Sequence, residues 1–118
     1  MSRNPRESNL ALFLRLLHRL EDNIPFEVGA VIEPIAICVT SIIERAQLHA
    51  GETVVITGPG PIGLISLAIA KSAGVKMAGM TGTSRDEGVR IEKAKELGAD
   101  FTIIVDKEDP VRKILEVT

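Results

Sequence analysis

Apolar positions change rhythm along this chain, and each change marks an element. Leu10, Phe13, Leu14, Leu17 and Leu20 recur at helical spacing, with Arg15, His18 and Arg19 between them. They predict an amphipathic helix from about Ser8 to Leu20. Asn23-Ile24-Pro25 breaks it. Ile35, Val39, Ile42, Ile43 and Ala46 then share one face of a second helix. Pro34 suits its first position, where a missing N–H costs nothing. His49-Ala50-Gly51 is a turn.

From there the pattern becomes βαβαβ. Thr53-Val54-Val55-Ile56-Thr57 is β-branched without polar alternation, the mark of a strand covered on both faces. Gly58 to Gly63 is a glycine-rich turn, and Ile62, Ile65, Ile69 and Ala73 mark a helix closed by Gly74. Lys76 to Thr81 is the second strand. Ser84-x-x-Glu87 has the form of a capping box that opens the next helix, with Gly98 as its stop. Phe101 to Val105 is the third strand, and Asp109-Pro110 starts a last helix. Right-handed crossovers give a three-stranded parallel sheet of order 3-2-1, one Rossmann half of the α/β class, with helices preceding it. Residues 1–23 are expected to form an N-terminal helical segment, and residues 24–118 a truncated dinucleotide-binding domain.

Composition narrows the partners. The chain has 118 residues, 14 Lys and Arg against 16 Asp and Glu, and 45% apolar residues. A net charge of −2 gives no footing for nucleic acid or an anionic membrane surface. Three phenylalanines and no Trp or Tyr offer no stacking platform. A single cysteine, Cys38, excludes an internal disulfide and a Cys-rich zinc site, and is expected to be a small core residue. The apolar run Leu10–Leu14 is too short for a signal peptide, and no span of ~20 apolar residues is apparent, so a cytoplasmic location is expected.

The chemistry centres on Gly58-Pro59-Gly60-Pro61-Ile62-Gly63, a full GxGxxG between a strand and a helix. Gly58 permits the tight turn, Gly60 lets a pyrophosphate approach, and Gly63 lets the helix pack close to the strand. The helix N-terminus then offers free N–H groups to the phosphates. A packing turn, or a site for S-adenosylmethionine, is the rival reading. An acidic residue should end the second strand if a ribose 2′-hydroxyl is read. That stretch is Met80-Thr81-Gly82-Thr83-Ser84-Arg85, with no carboxylate before Asp86. Ser84 and Arg85 suit a 2′-phosphate, which tips the expectation from NAD slightly towards NADP. Capping by Ser84 and solvation of Arg85 explain the same residues without a ligand.

Several linked motifs resemble the zinc-containing medium-chain alcohol dehydrogenases, above all their polyol branch. They are Ile24-Pro25-Phe26-Glu27-Val28-Gly29-Ala30-Val31-Ile32-Glu33-Pro34, Glu44-Arg45-Ala46, Gly51-Glu52-Thr53-Val54-Val55-Ile56, the glycine turn, and Ala94-Lys95-Glu96-Leu97-Gly98-Ala99-Asp100. The resemblance runs from about His18 to Thr118. It implies a nicotinamide dinucleotide cofactor held at Gly58, Gly60, Pro61, Ile62, Gly63, Ser84 and Arg85, with Ile62 near the nicotinamide. It also implies that Glu33 stands at the position that reaches the catalytic zinc. The family's remaining zinc ligands lie on a catalytic domain, and no matching Cys and His motif occurs here. A catalytic zinc needs about three protein ligands, so Glu33 alone cannot hold one. The expectation is the nucleotide-binding portion of a zinc-dependent alcohol or polyol dehydrogenase, inactive by itself. A separate catalytic-domain chain would be its partner. The alternative is a stand-alone dinucleotide-binding or protein-interaction module without catalysis. The apolar first strand, at the sheet edge without Lys, Pro or bulge, points to a homo-oligomer.

Overall fold

The structure is a computed structural model and describes residues 14, 15 and 17–118. The chain divides into two compact units, Met1–Val31 and Ile32–Thr118. In the first unit, residues 14 and 15 are helical and Leu17 is not. The helix expected from Ser8 to Leu20 therefore ends early among the described residues; residues 1–13 and 16 lie outside them. Of the described leucines of that face, Leu14 and Leu17 are exposed and Leu20 is half-buried, so little packing supports a helix there. One further turn, α1 (Phe26–Gly29), follows Pro25. A Cβ at Gly29 would lie 2.6 Å from Leu20 Cδ1, so the chain folds back closely there.

The second unit opens with α2 (Ile32–Val39), which runs into a π-helical segment, Thr40–Arg45. Pro34 sits within the first turn of α2 rather than at its first position. The expected core face also changes. Cys38 is completely buried, whereas Ile35, Val39 and Ile43 are exposed. Only one stripe of α2 meets a neighbour, and the small thiol side chain faces it. The Cys38 thiol donates to Ile62 O at 3.5 Å. The stretch Phe26–Arg45 is long and apolar enough to cross a membrane by length and composition, although the sequence pattern showed no such span. Its charges, Glu27, Glu33, Glu44 and Arg45, are spaced widely among Ile, Val and Ala.

Three parallel strands form one sheet in the order β1-β2-β3: β1 (Thr53–Thr57), β2 (Met77–Gly82) and β3 (Phe101–Ile104). Val55 pairs with Gly79, and Gly79 in turn with Phe101. Between the strands run α3 (Pro61–Ser72) and α4 (Val89–Glu96), and α5 (Pro110–Val117) follows β3. The sheet order is the one expected. β1 is half-buried rather than covered, because it stands at the sheet edge.

Leu67, Ala70, Val75, Ala78, Met80 and Ala94 form the core between helices and sheet, with Leu48, Val54, Ile56, Leu64 and Ala99 packed on it. The small residues let the helices sit close. At Gly79 the gap is filled from outside the strand, since a Cβ there would run into the ring of its register partner Phe101. Asp100 ties the start of β3 to its surroundings. Its carboxylate accepts from Ala78 N at 2.6 Å and from Lys71 Nζ at 3.0 Å. The Ala78 amide, with help from Lys71, holds the Asp100 pKa below the usual carboxylate range. At the opposite end of the sheet, α5 starts as its sequence predicts: Asp109 accepts from the amides of Val111 and Arg112, and Pro110 takes the first turn.

Candidate functional site

The C-terminal ends of β1, β2 and β3 lie side by side, and the residues that follow β1 and β3 are each tied to the end of β2 by a backbone hydrogen bond. Gly58 N donates to Thr81 O at 2.9 Å, and Val105 N donates to Gly82 O at 2.9 Å. Gly82 allows the turns to meet. A Cβ there would lie 3.3 Å from Pro59 Cγ and from Asp86 Cβ.

The first turn is built from backbone. Gly58 has φ +86°, a left-handed conformation that a side chain disfavours. A Cβ on Gly63 would fall on the Gly58 carbonyl oxygen, so helix and turn touch through bare backbone. Gly60 differs from both. Its φ of −74° suits any residue, and a Cβ there meets nothing within 4 Å. Gly60 is also the N-cap of α3, and no side chain caps the helix. Pro61 follows in the first turn, and Ile62 is exposed. The first-turn amides and the positive end of the helix dipole thus face open space, the arrangement that receives a phosphate.

The second turn is built from side chains, and it departs from the sequence expectation. The capping box belongs to Thr83 and Asp86, not Ser84 and Glu87. It closes a 3-10 turn, Ser84–Asp86, and α4 begins only at Val89 after Gly88 with φ +86°. Asp86 accepts from Thr83 N at 3.0 Å, from Thr83 Oγ1 at 2.9 Å and from Arg90 at 3.0 Å. These bonds, led by the Thr83 amide, hold its pKa below the ordinary value. Ser84 bonds elsewhere: its amide donates to Asp106 Oδ1 at 2.8 Å, and its hydroxyl donates to Asp106 Oδ2. The Asp106 pKa is lowered, chiefly by the Ser84 hydroxyl. Arg85 makes no ion pair among the described residues, whereas Lys107 is paired with Glu87. Sequence reasoning missed Asp106. The available signal was its place directly after the third strand, beside the end of the second.

Glu33 is exposed in the first turn of α2. It lines an open groove with Ala36, Ile37, Thr40, Ser41 and Arg45, of which none but Glu33 is a usual zinc ligand. Among the described residues no group of three His, Cys, Asp or Glu could hold a metal ion. The described residues by themselves therefore do not make up a catalytic zinc site.

No protein-family model matches the sequence. Relatives do. The chain is 40% identical over 102 residues to D-arabitol-phosphate dehydrogenase of Enterococcus avium, covering 86% of this chain and 28% of that protein. It is 37% identical over 110 residues to sorbitol dehydrogenase of Mus musculus, covering 90% of this chain and 30% of the relative. Among solved structures, benzyl alcohol dehydrogenase from Acinetobacter calcoaceticus superimposes with a TM-score of 0.75 at 28% identity, over 85% of this chain and 27% of that one. The chain thus spans under a third of the relatives it matches. By sequence and by fold, it is similar to one part of these dehydrogenases.

Proposed function

We propose that Ile32–Thr118 receives the adenosine and pyrophosphate of a nicotinamide dinucleotide, as the cofactor-binding portion of an alcohol or polyol dehydrogenase. One observation carries this reading: Gly60 alone of the three motif glycines combines an ordinary φ with open space where a Cβ would stand, so the fold does not demand a glycine there, at the uncapped start of α3. Gly58 and Gly63 shape the turn, the amides of Ile62 and Gly63 bind phosphate, and Pro61 fixes the first helical residue. Ser84 and Arg85 face the ribose end. The bound nicotinamide supplies a hydride acceptor or donor for the alcohol–carbonyl pair. The described residues contribute binding and orientation only. No proton transfer or metal step is assigned to them, so the 118-residue chain by itself binds cofactor without oxidising alcohols. Turnover requires a catalytic domain, on a separate chain or a longer one. Homo-oligomerisation through the unpaired edge of β1 belongs to the same proposal.

Calorimetric titration of Gly60→Val with NAD and NADP tests the reading. The backbone at this position suits a side chain, so the variant stays folded while the valine blocks the pyrophosphate, and affinity for both cofactors falls at least tenfold. Unchanged affinity would remove the ligand from this turn. The absence of a metal-ligand group among the described residues favours, as a second reading, a dinucleotide-binding module without catalysis. Zinc-dependent alcohol oxidation by the purified chain would eliminate it.

A further inference from the structure

We propose that Asp106 sets the chain's choice between a ribose 2′-hydroxyl and a 2′-phosphate, acting through Ser84. The proposal rests on the reading that a dinucleotide lies on the Gly58–Gly63 turn. With the pyrophosphate there, the adenosine ribose extends towards the end of the second strand. The position where a strand-end acid would stand holds Gly82, and a side chain there would press on Ile91, Asp86 and Pro59. The acid that reads the ribose has to come from elsewhere.

Two carboxylates stand close enough. Asp86 is spent on its own turn: one oxygen accepts twice from Thr83, the other accepts from Arg90. Asp106 differs. Its two oxygens hold the Ser84 amide and hydroxyl, its side chain is exposed, and it forms no ion pair among the described residues. Each oxygen keeps a further lone pair for a ribose hydroxyl.

The same bonds work against a 2′-phosphate. A phosphate there needs donors, and the two that Ser84 could offer already point at Asp106. A phosphate monoester also brings a charge of about −1.5 to −2 beside the Asp106 carboxylate. The neighbouring charges do not offset this. Arg90 is neutralised by Asp86 and Lys107 by Glu87, which leaves Arg85 as the one cation near Ser84 without an ion-pair partner among the described residues. Arg85 favours the 2′-phosphate and Asp106 opposes it. Removing the Asp106 charge frees Ser84 and leaves Arg85 unopposed.

The experiment compares ADP with its 2′-phosphorylated form, adenosine 5′-diphosphate 2′-phosphate, as the minimal probes, and NAD with NADP, on the full chain. Asp106→Asn is expected to raise affinity for the 2′-phosphorylated member of each pair about tenfold relative to the other. Asp106→Ala should do the same. Adding Ser84→Ala to Asp106→Asn should remove most of the gain, because the freed donor is gone. A loss of structure would weaken both members of each pair equally and could not move the ratio. An unmoved ratio with ADP binding intact overturns the role of Asp106. Failure of the unaltered chain to bind any of the nucleotides overturns the dinucleotide reading and this inference with it.

Discussion

The turns after β1 and β2 are neighbours, the first bonded through Gly58 N to Thr81 O near the end of β2, yet they are held by opposite means. The first has no titratable side chain between Gly58 and Gly63. Its shape comes from one left-handed glycine and one bare backbone contact. The second is held by Asp86, Asp106, Thr83, Ser84 and Arg90. The difference matches two tasks. On the function proposed above, a pyrophosphate is the same in every dinucleotide, so a rigid backbone cradle would serve it. The ribose 2′ position varies between cofactors, so side chains that can change with little effect on the fold would serve that.

The largest effect that would sharpen this contrast is in the first turn. Gly63→Ala places a Cβ on the Gly58 carbonyl oxygen, and neither backbone segment can yield without moving α3 off β1. Overpacking of this kind costs about 3 kcal/mol. Gly60→Ala, three residues away, should instead stay within about 0.5 kcal/mol of neutral: its φ is ordinary and the space is empty, and the stiffer unfolded chain offsets the poorer N-cap that alanine makes. Urea denaturation of both variants checks the pair. Similar losses at the two positions would show that Gly60 serves the fold and not a ligand.

Next in size is the position where the turns touch. Gly82→Ala brings a Cβ to 3.0 Å from Ile91 Cδ1 and 3.3 Å from Pro59 and Asp86. The isoleucine end is flexible and can give, so about 1 kcal/mol is expected, again by urea denaturation. A loss as large as that of Gly63→Ala would make the junction as rigid as the first turn and would erase the distinction between them.

The first turn was legible in the sequence because its determinants are local. GxGxxG after a β-branched run specifies dihedral angles and a close approach within six residues. The sheet order followed from crossover handedness for the same reason. The second turn was misread because its partners are remote in sequence: Asp106 reaches Ser84 across 22 positions, and the cap moved from Ser84 to Thr83 once Ser84 was engaged. The face of α2 was misread on different grounds. Periodicity finds apolar stripes, but Ile32, Ile35, Ile37, Val39 and Ile43 leave more than one stripe apolar. Which stripe is buried depends on the neighbour, here α3 through Cys38 and Ile62. The resemblance of linked motifs reached the right relatives, although Glu33 finds no other metal ligands beside it among the described residues.

The smallest effect concerns acid. Asp86 and Asp106 both titrate below their ordinary range, Asp86 mainly because the Thr83 amide donates to it and Asp106 mainly because the Ser84 hydroxyl does. A carboxylate whose folded pKa is depressed adds stability that is complete above its unfolded value, about 3.9. That contribution fades as pH falls through the lower folded value. The second turn should therefore loosen below about pH 4, while the first, with nothing to titrate, should not respond. Asp106 is solvent-exposed and Asp86 lies at the surface half-buried, so the effect on overall stability is small and is best read locally. Amide chemical shifts recorded from neutral to acid pH make the comparison directly. The amides of Thr83 and Ser84 donate to these carboxylates and should shift with midpoints under pH 4. The Gly58 amide, bonded to a backbone carbonyl, should stay flat until the domain unfolds. A Gly58 shift with the same midpoint as Ser84 would mean that the turns move as one unit, so that a change at the ribose end would also reshape the pyrophosphate cradle.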